Sequence, residues 1–138
     1  RSFELAKLKR IIRNLENSGV KVKMGPEIRA ELAKIKKEAA YIPRLGNQPG
    51  TMFLPDNPSR VAVIEELIHL GQDRNSKWKL AAQFDMPTGD ILKRRLEFEA
   101  QEKLLVLGNR LEFTAEEMKY ITRWLADNQS WRKFLFGK

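Results

Sequence analysis

A chain of 138 residues suits one domain with a modest core, because two independently stable pieces would each carry too much surface for their volume. It contains no cysteine, which excludes disulfides, thiolate zinc sites and cysteine nucleophiles; it is 42% hydrophobic and 32% charged, and no apolar run approaches the ~20 residues that span a bilayer. The net charge of +8 is uneven, at +6 over residues 1–40, −2 over 41–118 and +4 over 119–138, so basic ends that invite a polyanion or an acidic protein flank a slightly acidic middle.

Ser2 is placed to cap a first helix, basic and spanning 2–18, in which Phe3, Leu5, Leu8, Ile11, Ile12 and Leu15 recur at helical spacing and which Gly19 ends. Residues 20–24 alternate as a strand does, Gly25 breaks them, and Pro26 opens a second helix expected to run to about Ala40. Short extended runs at 41–45 and 51–54 around a Gly/Pro-rich turn predict a hairpin. Asp56 or Asn57 is placed to cap the next helix, with Pro58 in its first turn and Gly71 near its end. Residues 73–90 show no clear period and read as a short helix or loop. A long helix then covers about 90–107, and Thr114-Ala-Glu-Glu117 is a capping box that starts the last helix, with Met118, Ile121, Trp124 and Leu125. The expected fold is α+β and predominantly helical, five or so helices with a small hairpin or sheet, in a single domain of residues 1–138.

The third helix carries the chemistry. In Val63-Ile-Glu-Glu-Leu-Ile-His-Leu-Gly-Gln72, two adjacent carboxylates and the chain's only histidine interrupt an apolar run. With Glu65 at zero and about 100° per residue, Gln72, His69, Asp73 and Glu66 share one stripe, and Val61, Val63, Ile64, Leu67, Ile68 and Leu70 fill the rest. Glu65 and Glu66 stand four and three residues before His69, the spacings at which helical side chains meet. A carboxylate there can orient the imidazole for acid/base work or for metal ligation. The plain alternative is a water-facing stripe on an amphipathic helix. On the later helix Glu99 lies at the edge of the arc holding Leu92, Leu96 and Ala100, and Glu97 on another side.

Together, Phe53-Leu-Pro-Asp-Asn-Pro-Ser-Arg60, Glu65-Glu-Leu-Ile-His-Leu-Gly-Gln72, Leu96-Glu-Phe-Glu-Ala-Gln-Glu102 and a closing amphipathic helix resemble C-terminal toxin domains of bacterial polymorphic and prophage-associated toxins, some with a zincin-like layout. The resemblance covers about residues 41–128. Zincins place His-Glu-x-x-His on a helix, the histidines binding zinc and the glutamate acting as general base, with a third ligand on a later helix. It implies Glu66 as base, His69 as second histidine and Glu99 or Glu97 as the later ligand. Glu65 stands where the first histidine would, and a Glu/His/Glu set is oxygen-rich and less selective for zinc. It implies, too, a domain of a larger secreted or delivered bacterial protein, acting in the target cell's cytoplasm and matched by an immunity protein, expected to be acidic; a chain beginning at Arg1 without a signal-peptide pattern suits that expectation.

Three functions follow. The first is a nuclease, RNA favoured, with Glu65, Glu66, His69 and Glu99 as catalytic candidates, Arg60, Arg74, Lys77, Arg94 and Arg95 on phosphates, and Trp78 and Tyr41 stacking on bases. A metal-dependent hydrolase or peptidase is the second, with Glu66, His69 and Glu99 around a divalent ion; the nuclease needs no cofactor. The third is a non-enzymatic helical module whose basic first and last helices bind nucleic acid or protein.

Overall fold

A computed structural model describes residues 2–78 and 88–137. The chain divides into two compact units, 1–73 and 74–138. The fold is α+β and predominantly helical, with six helices among the described residues and one small mixed sheet.

The first unit opens with α1 (Leu5–Asn17), which begins without a side-chain cap; Ser2 instead forms an isolated bridge with Ser59. Its end is as the sequence implies. Gly19 takes φ +93°, its N–H reaches Glu16 O at 3.1 Å and the Val20 N–H reaches Leu15 O at 3.0 Å, the paired bonds that close a helix on a left-handed residue. Strand β1 (Lys21–Met24) follows, then α2 (Pro26–Lys34), with Pro26 at its first position. Here the expected extent to Ala40 is wrong. Lys36 adopts φ +56° and Lys37 N–H bonds Leu32 O at 3.0 Å, so the same closing motif stops the helix six residues early, without a glycine to announce it.

The predicted hairpin is present: β2 (Ala40–Ile42) runs antiparallel to β3 (Thr51–Leu54), Tyr41 opposite Met52. What the alternating pattern of 20–24 could not give is its partner. β1 lies parallel to β3, Val22 opposite Met52 and Met24 opposite Leu54, giving the order β1-β3-β2 with β3 central. Met52 and Leu54 are fully buried and form one core cluster with Leu8 and Leu15 of α1 and with Ala62, Val63 and Leu70 of the next helix.

That helix, α3 (Arg60–Arg74), begins at Ser59 rather than at Asp56 or Asn57. The Ser59 hydroxyl accepts from Ala62 N–H at 3.2 Å, the N-cap bond, whereas Asp56 pairs with Arg29 at 2.8 Å. Ser59 meets the same N-cap preference, and Pro58 precedes the helix rather than sitting in its first turn.

In the second unit α4 (Thr88–Arg110) is longer at both ends than expected, and Glu112 at φ +55° closes it. Thr114 caps α5 (Ala115–Asp127) through the capping box read from sequence, with both reciprocal bonds formed. α6 (Gln129–Phe136) is a separate short helix, where the sequence predicts only one closing helix. Phe98 of α4 is fully buried, with the Trp124 ring edge-on at 4.9 Å and Phe136 at 6.1 Å. At Gly108 an added Cβ would lie 2.6 Å from Met118 Sδ and 2.8 Å from Phe113 Cδ2, so the close approach of α4 and α5 depends on a residue without one. Of the aperiodic stretch 73–90, residues 79–87 lie outside the described residues.

Candidate functional site

α3 presents its polar stripe to the interior. Glu66 is 8% exposed, His69 5%, Gln72 7% and Asp73 1%, with Glu65 half-buried beside them. A solvated edge is therefore not what this stripe is. Polar side chains are withdrawn from water only where hydrogen bonds or ligands answer them, and two such answers are visible.

The first concerns the histidine. His69 Nδ1 lies 2.9 Å from Gln72 Oε1. An amide oxygen only accepts, so Nδ1 of the neutral ring carries the hydrogen and Nε2 bears the lone pair. This arrangement, the far nitrogen donating to a carbonyl-type oxygen, fixes both tautomer and ring orientation in histidines that ligate metals or accept protons. One turn earlier, a Glu65 carboxylate oxygen lies within 4.8 Å of a His69 ring nitrogen. A carboxylate and an imidazole on successive turns thus face one point, as the i,i+4 spacing predicts.

The second concerns Asp73. Its Oδ2 accepts from the Tyr41 hydroxyl at 2.6 Å and from the Arg44 main-chain N–H at 3.0 Å, with Arg44 Nε 3.4 Å away. Arg44 Nη2 also donates to Asp73 O at 2.6 Å. The loop after β2 is thereby tied to the end of α3. Gly50 lies under the same tyrosine: a Cβ there would run into the hydroxyl and come within 2.7 Å of Cζ. Tyr41, expected as a base-stacking platform, has its ring packed on the core cluster and its hydroxyl committed to Asp73.

Glu99 is on α4 with Oε2 3.3 Å from Lys77 Nζ, so two predicted site residues of opposite sign neutralise each other. Glu97 of the same helix is half-buried. Arg94 lies over the Trp131 ring at 4.0 Å and Arg95 over Phe136 at 5.0 Å, which holds both guanidinium groups against aromatic faces of their own unit. Arg60 is half-buried at the start of α3, Arg74 is exposed at its end, and Trp78 is half-buried. Sequence reasoning named Gln72 and Asp73 on the stripe but gave them no role; their shared arc with His69 was the available signal.

Compared with family models, curated proteins and solved structures, the chain finds no match.

Proposed function

We propose that the protein is a hydrolase centred on α3, with His69 and Glu65 as two ligands of a divalent ion and Glu66 as general base. The observation that carries this reading is the His69–Gln72 hydrogen bond, 2.9 Å, in a buried stripe. A histidine held in the Nε2-accepting form beside a carboxylate is a nitrogen-plus-oxygen donor pair that suits zinc or manganese. An ion held there would supply Lewis acidity toward a scissile carbonyl or phosphoryl oxygen. Gln72 fixes the ring, Glu65 adds negative charge, and Glu66, withdrawn from water on the same stripe, is the carboxylate that would take a proton from the attacking water. The toxin-effector setting, with delivery into a target cell and an acidic immunity partner, belongs to this proposal through the zincin-like resemblance.

A second reading keeps His69 as the acid/base of a metal-free ribonuclease, and the net charge of +8 favours it. One experiment separates the two. Purified protein is loaded with zinc or manganese, bound metal is counted, and cleavage of a protein substrate and of total RNA is followed with and without EDTA. The first reading expects about one ion per chain, lost in His69→Ala, and cleavage abolished by EDTA. RNA cleavage that survives EDTA but not His69→Ala establishes the second. If no metal is retained and neither polymer is cut, both readings fall.

A further inference from the structure

We infer that the outer face of α1 is a docking surface for a nucleic-acid phosphate backbone. With Leu8 at zero and about 100° per residue, Leu15, Ile11 and Ile12 cluster around Leu8, while Lys9, Arg13, Arg10 and Lys7 fall between about 100° and about 260°. The first arc packs on the core cluster, and all four cations are exposed.

Two features of this face bear on what it meets. Lys9, Arg10 and Arg13 have no ion pair among the described residues. Lys7 rests only over the Phe3 ring, 5.5 Å from its centre. Like charges three and four residues apart add repulsion. A sequence that breaks local rules in this way without an internal compensation points to an external one.

The arc also tells against a protein partner. Between the cations stand only Ala6, Asn14 and Asn17, with none of the aromatic or aliphatic anchors that protein interfaces bury at their centre. Cations at one-turn spacing with hydrogen-bonding amides between them suit a repeating phosphate, read without base specificity.

The inference rests on charge placement and not on the hydrolase reading, so its test uses a 20-nucleotide 2′-O-methyl RNA that resists hydrolysis. Fluorescence anisotropy is measured from 50 to 200 mM salt on the complete chain. Four neutralised phosphates give a slope of log K against log salt of about −3 on a single strand, and a steeper one, about 0.9 per phosphate, on duplex DNA, so the two sources are distinguished. The triple variant Lys9→Glu, Arg10→Glu, Arg13→Glu is expected to weaken binding at least tenfold at 50 mM salt and to flatten the slope by about 2. Lys119→Glu, Arg123→Glu, Lys133→Glu makes the same change in net charge in α5 and α6 and is expected to weaken it by less than threefold. Thermal melts confirm that both variants fold. Equal losses in the two variants, or no binding by the unaltered chain at 50 mM salt, would overturn the inference.

Discussion

Replacing Gln72 by leucine keeps the volume near His69 and removes the oxygen that accepts from Nδ1. A buried N–H left without its acceptor costs about 1–3 kcal/mol, and loss of such an orienting partner lowers metal affinity or activity about 10–100-fold. Gln72→Glu retains an acceptor oxygen and is expected to keep most of both. Equilibrium denaturation and metal titration check the pair, and equal behaviour of the two variants would remove Gln72 from its positioning role. A second residue-scale expectation concerns Gly50. Its alanine variant must displace Tyr41, whose hydroxyl is held by Asp73. Tyr41→Phe alone leaves the Asp73 carboxylate short of a donor, at about 1–3 kcal/mol. Because Gly50→Ala breaks the same bond, the double variant should be less destabilised than the sum, a coupling of about 0.5–3 kcal/mol that a double-mutant cycle measures.

At the level of elements, what was legible in the sequence was whatever local chemistry decides. The Thr114 capping box is a reciprocal pair of bonds within four residues, and it was read correctly; Thr114→Ala is expected to cost about 1 kcal/mol, measurable by chemical denaturation. The apolar period of α1 and the left-handed Gly19 were equally local. The early end of α2 was not, since Lys36 takes a left-handed conformation that lysine composition does not signal. The parallel partner of β1 lies thirty residues on, beyond the reach of alternation. The site divided the same way: helical spacing brought Glu65 and His69 to one face, but whether that face met water depended on packing that no wheel contains.

For the molecule as a whole, ligand linkage offers the broadest test. An ion bound by the folded chain alone, at a hundredfold excess over Kd, stabilises it by about 2.7 kcal/mol, which for a chain of this length raises Tm by a few degrees. Zinc or manganese should therefore shift the melt upward, EDTA should reverse the shift, and His69→Ala should abolish it. Because carboxylates and imidazole must be deprotonated to ligate, the shift should shrink as pH falls. Calorimetry across pH checks both expectations, and a melt indifferent to every divalent ion would dismiss the metal.

The central position of β3 has a further consequence in time. Neither β1 nor β2 pairs with the other; each is bonded only to Thr51–Leu54, the last of the three strands to leave a ribosome. Until that segment is free, residues 21–24 and 40–42 have no sheet to join, and the Val22 and Tyr41 side chains have no Met52 beside them. Folding of this region should then begin in a single late step, when one four-residue segment recruits both neighbours at once. Nascent chains ending before residue 51 are expected to be sensitive to protease along their whole length, and chains carrying α3 clear of the exit tunnel to resist it abruptly.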